Sequence, residues 1–282
     1  SYDFIDLDKD EKSINKINPD FIIYYKPYND SYQPAHIFKK HAKSIPIGMG
    51  YAFFVASQKQ HYVNPLYYYA YQFYVENEMI KRAFRKNLSY KAHNVKVLGT
   101  PISDLLLLDE TNFEDPWKDK SGKKRIIYAP HHSFDGTNGK GLELATFLVN
   151  GEFMLEMAKK YKDKVTFAFK PHPNLRKKLE KIWGKVRTDT YYREWESLEC
   201  AQVDYGEYIG LFKYSDAIIH DCGSFTAEYL FMNKPAMYLI NGTGDRVKAE
   251  FNEFGQRCFD CYEHGVTHEQ IEAFVNKVIT GK

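Results

Sequence analysis

Three short stretches of the sequence carry side chains suited to phosphate chemistry. In the first, His172 lies between Pro171 and Pro173, directly behind an apolar run at 165–169. Flanking prolines restrict the backbone on both sides and so fix where the imidazole points. That suits a general base, or a donor to charge developing on a phosphate. Lys170 adds positive charge beside it. In the second, His131, His132 and Ser133 follow an apolar run at 125–128. Neighbouring residues on an extended loop point to opposite sides, so one of the two histidines faces the site. Ser133 and the loop of Gly136 and Gly139 permit close approach to a ligand.

The third stretch, 215–229, reads as a buried strand, a polar turn at 220–223 and a helix capped by Ser224 or Thr226. Phe225, Tyr229, Leu230 and Met232 form the apolar face of that helix. Strand, glycine turn and helix N-terminus leave backbone N–H groups where an anion can sit. The donor-binding candidates are Lys170, Asp221, Gly223, Ser224, Phe225, Thr226 and Glu228, and the catalytic candidates are His172, His131 and His132. Asp221 has three readings: it holds a ligand hydroxyl, orients a histidine, or ties down its own loop. Glu228 is either a ribose or base contact or part of a solvated helix face.

Other chemistries find less support. Cys258, Cys261, His264 and His268 have a zinc-like spacing, but a glycine and a helix start fall between the two histidines, and a second cysteine pair is missing. Neither GxxxxGK[ST] nor Gly-x-Ser-x-Gly occurs. The expectation is therefore no metal and no cofactor. With 39 basic against 37 acidic residues, the chain lacks the basic excess of a nucleic-acid binder. Four cysteines in 282 residues do not make a disulfide framework, which leaves a reducing cytoplasm as the default compartment.

The elements that must position these residues alternate between strand and helix. Strands are predicted at 21–25, 45–50 and 94–98, a short helix at 37–42 and a long Tyr-rich helix at 66–85. A charged stretch at 109–124 reads as a linker. Beyond it come strands at 125–128, 165–169, 217–219 and 236–240, and helices at 152–161, 175–183, 206–214, 224–233 and 268–279. Such alternation predicts an α/β fold with parallel sheets. Ligands of these sheets bind at the carboxyl ends of the strands. The loops after 128, 169, 219 and 240 all fall at such ends. The domain reading is 1–108, linker 109–124, and 125–282 as the donor domain. With three predicted strands the first domain is short of a full Rossmann unit. The opening at Ser1 without Met suggests a segment of a longer protein.

Taken together the motifs resemble the CDP-glycerol glycerophosphotransferases, the teichoic-acid polymerase family. The resemblance rests on Ile127-Tyr128-Ala129-Pro130, Phe169-Lys170-Pro171-His172-Pro173, the 215–221 run with Ser224 and Glu228-Tyr229, and Lys234-Pro235. Weaker matches are Pro19-Asp20-Phe21-Ile22, Gly50-Tyr51-Ala52-Phe53 and Val97-Leu98-Gly99-Thr100-Pro101. The resemblance implies a GT-B architecture of two Rossmann-like domains facing a cleft. It implies attack by a polymer hydroxyl on the β-phosphorus of CDP-glycerol, with CMP leaving. His172 then corresponds to the family's catalytic or phosphate-stabilising histidine, and Asp221 and Ser224 to its donor site.

The sequence departs from the family pattern in three places. His131-His132-Ser133 replace Thr, an aromatic and Arg; Ile47-Gly48-Met49-Gly50-Tyr51 stands where a Trp-His-Gly-Thr-Pro motif is usual; and Asp221-Cys222-Gly223-Ser224 replaces Asp-Tyr-Ser-Ser. A divergent branch, transferring another polyol phosphate or a sugar, fits those changes. The implied partners are a CDP-linked donor and a polymer or lipid-linked acceptor, the latter met by peripheral contact with the inner membrane face. Two alternatives stand beside this reading: a sugar transferase of the same architecture using UDP- or GDP-sugar, and a non-catalytic polymer-binding module.

Overall fold

Apolar runs too short to span a helix bundle, each followed by a helix, can bury both faces only in a parallel sheet. The chain forms two such sheets. A computed structural model of the chain describes residues 16–25, 41, 43–134 and 142–281. Contacts divide the chain into two units: Ser1–Phe54 with Gln58–Ser103, and Val55–Ser57 with Asp104–Lys282.

Unit 1 carries β1 (Phe21–Tyr24), β2 (Ile45–Met49), α1 (Pro65–Tyr69), β3 (Gln72–Val75), α2 (Glu78–Asn87) and β4 (Val95–Val97). The four strands pair in the order β1-β2-β3-β4, all parallel. The long helix expected at 66–85 is instead a helix, a strand and a helix. Asn64 starts α1 by accepting from Leu66 N–H, and Ala70 then turns extended. Within β3, Phe73 and Val75 point inward and their neighbours outward, the alternation of a strand. Asn77 then caps α2 by accepting from Ile80 N–H. Aromatic residues favour the pleated surface, and two good N-caps outweighed the helical spacing of the charges. The inward rings Phe54, Tyr67, Phe73 and Phe84 meet edge to face, with Tyr67 and Phe73 centroids 4.7 Å apart. The helix expected at 37–42 lies outside the described residues except for His41.

From α3 (Pro101–Leu107) the chain runs into unit 2. Its elements are β5 (Lys124–Ala129), α4 (Phe147–Lys160), β6 (Val165–Phe169), α5 (Leu175–Trp183), α6 (Lys185–Ser197), β7 (Ala201–Val203), α7 (Tyr208–Lys213) and β8 (Ala217–His220). After these come α8 (Phe225–Glu228), β9 (Ala236–Leu239), α9 (Gly244–Ala249), α10 (Glu253–Phe259), β10 (Glu263–Gly265) and α11 (His268–Thr280). The sheet order is β10-β9-β8-β5-β6-β7, parallel throughout. Counting from β5, this is the doubly wound order of a Rossmann sheet, with its switch point between β5 and β8. Below the strand ends lies an aromatic core, with Phe169 and Trp195 stacked at 5.1 Å and Tyr128 at 5.8 Å from Phe169. Much of the 16% aromatic content, unexplained by the sequence, is spent here and in the ring cluster of unit 1.

The stretch expected as a linker, 109–124, is packed into unit 2. Trp117 is buried, its Nε1 donating to Leu211 O at 3.3 Å and its ring lying under the Arg125 guanidinium. Gln202 accepts from Lys118 N–H at 2.7 Å, and Asp119 accepts from the Thr166 hydroxyl at 2.6 Å. Some of the charges that suggested a linker pair with one another, and Asp115 and Asp119 also reach Arg125 and Thr166 of the sheet they border. We expect Trp117→Ala to lower unfolding free energy by ~3–5 kcal/mol, the range for emptying a buried aromatic site. Urea denaturation measures it, and a loss below ~1 kcal/mol would mean that the segment is peripheral.

Candidate functional site

Because β5, β6, β8 and β9 are parallel neighbours, the loops that leave them share one edge of the sheet. The switch point lies between two of them, where the crossovers diverge and a crevice opens. Hydrogen bonds stitch three of these loops together. His172 N–H, behind β6, donates to Pro130 O behind β5 at 3.1 Å. Cys222 Sγ, behind β8, donates to Ala129 O at 3.1 Å. The His131 N–H donates to the carboxylate of Asp221.

This bracing brings the three predicted histidines face to face. Ring centroids are 4.1 Å apart for His132 and His172, 4.5 Å for His131 and His132, and 4.9 Å for His131 and His172. One ring nitrogen from each lies within 4.8 Å of the other two. The expectation that only one of His131 and His132 faces the site therefore fails. Their rings tilt by only 31° to one another, because the loop turns here and Phe134 N–H bonds back to His132 O.

Two of the rings, those of His131 and His172, sit in a setting that disfavours positive charge. Burial, then the charges of His132 and Lys178, pull the His172 pKa down to about 4. Burial, with His132, His172 and Lys178 behind it, holds His131 well below its ordinary value. Lys178, half-buried on α5, is a residue that the sequence reading missed. Its signal was its place in the helix that follows the His172 loop, one turn in. Three converging imidazoles are the ligand set of a zinc site. Here a lysine stands close by, and the backbone N–H of Asn174 already donates to His172 Nδ1 at 3.1 Å. N–H donors beside a cation suit an anion better than a metal ion. Among the described residues this is the one His/Cys/Asp/Glu group that converges in this way. Cys258, Cys261, His264 and His268 do not. His264 stacks on Phe259 and His268 on Phe153.

The predicted donor-binding residues divide into two sets. Lys170, Asp221, Thr226 and Glu228 are buried, and the first three brace the rim from below. Lys170 Nζ pairs with Asp204 at 2.8 Å and donates to Gly206 O, which joins the ends of β6 and β7. Asp221 takes the third of the readings offered for it, extended to its neighbours. Its carboxylate accepts from His131 N–H, Thr146 N–H and, at 2.8 Å, the Thr146 hydroxyl, which fixes the start of α4. Burial pushes its pKa up to about 7 against those donors. Thr226 donates back to Cys222 O at 2.7 Å rather than capping a helix. Gly223, Ser224 and Phe225 are half-buried.

The expected helix at 224–233 is one α-turn, Phe225–Glu228, continued as a 3-10 turn, Tyr229–Met232, and stopped by Asn233 at φ 50° ahead of Lys234-Pro235. So short an element has little dipole. A Cβ at Gly223 would meet nothing closer than Val55 Cγ2 at 3.9 Å, so no steric demand explains that glycine. Gly136 and Gly139 lie outside the described residues.

The model of the CDP-glycerol:poly(glycerophosphate) glycerophosphotransferase family matches residues 18–243. The chain belongs to that family. As a glycerophosphotransferase-family chain it is an enzyme of the transferase class. No curated protein matches it. Among solved structures, it is similar to the UDP-GlcNAc 2-epimerase of Methanocaldococcus jannaschii in complex with UDP-GlcNAc and UDP. Identity is 15% and the TM-score 0.59, over 98% of this chain and 73% of that one. It is also similar to MnaA of S. aureus in a UDP co-structure, at 14% identity and TM-score 0.54, over 97% and 70%. A third is the wall teichoic acid polymerase TagF soaked with CDPG, at 13% identity and TM-score 0.52, over 93% and 72%. At these identities what is shared is the GT-B-like α/β fold.

Glu228 leads to a test of the buried rim. Neither of its carboxyl oxygens meets a donor at full hydrogen-bonding geometry. Burial raises its pKa to about 7, only partly offset by the hydroxyls of Tyr208 and Ser224. A raised carboxyl pKa means that the folded state holds the proton over a window where the unfolded chain has lost it. The stability it confers is full below pH ~4.5 and is lost as pH rises through about 7, by ~3 kcal/mol in all. Glu228→Gln should abolish that loss, so the stability profiles of the two proteins separate between pH 5 and pH 8. Parallel profiles would contradict the assignment.

Proposed function

We propose that this chain transfers glycerol phosphate from CDP-glycerol to a hydroxyl of a cell-surface polymer, with CMP leaving. The observation that carries the reading is the convergence of His131, His132 and His172 at the carboxyl end of β5, beside the switch point. Family membership supports the donor class. Phosphoryl transfer asks a protein chiefly for positioning and for stabilisation of charge on the phosphate oxygens. The imidazoles of His131 and His172, held neutral, supply N–H donors there without the reorganisation that water would need. Lys178 supplies the fixed positive charge. On this reading Gly223, Ser224 and Phe225 offer backbone and side-chain contacts to the donor, while Lys170, Asp221 and Thr226 act by holding the rim.

A lipid-linked acceptor would bring the chain to the inner face of the membrane as a peripheral protein. Among the described residues no helix is long and apolar enough to cross a membrane. Transfer from a UDP- or GDP-linked sugar is the second reading, favoured by the departure at His131-His132 from the family pattern.

Calorimetry with CDP-glycerol, CMP, UDP and GDP separates the two readings. Preference for the cytidine nucleotides is expected, and preference for UDP or GDP would overturn the donor assignment. In the transfer assay, His172→Ala should lower turnover by at least ~100-fold, about the effect of losing one donor to the transition state, with the thermal midpoint unchanged. Near-normal turnover would remove His172 from the mechanism.

A further inference from the structure

We infer that the exposed face of α5 docks the phosphates of an acceptor chain, so that the hydroxyl presented for transfer ends a polymer that already carries negative charge. The inference rests on the transfer reaction proposed above and names the chemistry of its acceptor. α5 leaves the His172 loop directly, with Leu175 N–H donating to His172 O at 2.8 Å. Lys178 stands near enough for its charge to bear on both His131 and His172. At about 3.6 residues per turn, Lys178 shares one face of α5 with Lys177 and Lys181. Lys177 and Lys181 are exposed, and Leu175 and Leu179 are buried on the opposite side.

The protein's own acids do not neutralise this face. Arg176 points away from it: its guanidinium pairs with Asp189 at 2.7 Å and Glu180 at 3.8 Å and lies over the Tyr192 ring, which ties α5 to α6. Bases on neighbouring helices pair in the same manner, Lys159 with Glu194, Lys160 with Glu272 and Arg187 with Glu152. Among the described residues, Lys177 and Lys181 form no such pair. The first turn of α5 has no acidic residue, although the helix dipole favours one there. Lysines four residues apart on a helix also repel. A face that served solubility alone would mix both signs, as α6 does. Charge placed against local helix stability concentrates at functional surfaces.

The partner that fits is anionic, narrow and repeating. The lysines stand in single file rather than as a broad field, and the file starts beside the three histidine rings. Lys177 and Lys181 are one turn apart, ~6 Å along the helix axis. A chain of polyol units joined by phosphodiesters repeats its charges at a comparable interval. Laid along α5, such a chain sets the phosphates behind its growing end over Lys177 and Lys181 and its terminal hydroxyl at the histidines. A neutral acceptor would leave the face unused.

Binding without turnover tests this. The probes are a fluorescent oligo(glycerol phosphate) hexamer and the corresponding monomer, titrated by fluorescence anisotropy over rising salt. Lys177→Gln combined with Lys181→Gln should weaken the hexamer by at least ~10-fold at low salt and flatten the slope of log affinity against log salt by about one. Monomer affinity should stay within ~2-fold, because a single unit does not reach along the helix. As a control, Lys162→Gln combined with Lys164→Gln removes exposed charge from the loop before β6, at the far edge of the sheet, and should change neither probe. Failure of the wild-type chain to bind the hexamer overturns the inference, as does equal loss in the two variants. Unchanged hexamer binding in the α5 variant, with loss of binding to phosphatidylglycerol vesicles, would make the face a membrane contact instead. The titration requires no CDP-glycerol. A wild-type chain that binds the hexamer through these lysines but does not consume CDP-glycerol sinks the transfer reading. A chain that consumes CDP-glycerol while the α5 variant keeps its hexamer affinity sinks this inference alone.

Discussion

The architecture of the rim depends on one buried carboxylate. Asp221 leaves β8 at the switch point and accepts hydrogen bonds from the His131 loop and from the start of α4. Its own carbonyl accepts from Tyr238 Oη at 3.1 Å, and Tyr262 Oη donates to Phe225 O and Thr226 O at 3.1 Å each. Without that carboxylate two backbone N–H groups would be buried unpaired, and the loop that carries His131 and His132 would lose its anchor. The carboxylate is costly to bury, as its raised pKa records. Three donors on a single side chain offset much of that cost.

A second constraint works from the other side. Lys170 and Asp204 form a buried pair at the ends of β6 and β7, and the same loop continues to His172. A buried pair is poor evidence of net stability, but breaking one partner away costs ~3–5 kcal/mol. It ties the residue that opens the Pro171-His172-Pro173 turn to the loop after β7. Between them Asp221 and the Lys170–Asp204 pair anchor the two loops that carry the three rings. The rings of His131 and His172, beside Lys178, sit where positive charge is disfavoured.

Much of this was legible in the sequence. The strands at 125–128, 165–169, 217–219 and 236–240 appear within two residues of their expected ends. The apolar runs are short and bounded by polar turns, so their period leaves little choice. The shared edge followed from the α/β alternation alone. The first domain's aromatic run misled, because Tyr and Phe at 67–74 satisfy both a helical and an alternating pattern. Only pairing with β2 and β4 decides between them. The segment 109–124 misled for a different reason: beside the local pairs Asp115–Lys120 and Asp119–Lys123, Asp119 and Lys124 bond to Thr166 and Asp216, 47 and 92 residues away, which no local window contains. Asp221, Glu228 and Lys170 look alike in sequence to residues that line a pocket. Their burial depends on β7, α10 and β10, elements that the sequence reading did not separate.

The account comes down to where the donor's phosphates rest. A crystal structure of the chain with CDP-glycerol bound tests this most directly. The account predicts an oxygen of the β-phosphate within hydrogen-bonding reach of His172 Nε2, about 3 Å, with the rings of His131 and His132 alongside. A fully ordered donor whose diphosphate lies away from all three rings would contradict it.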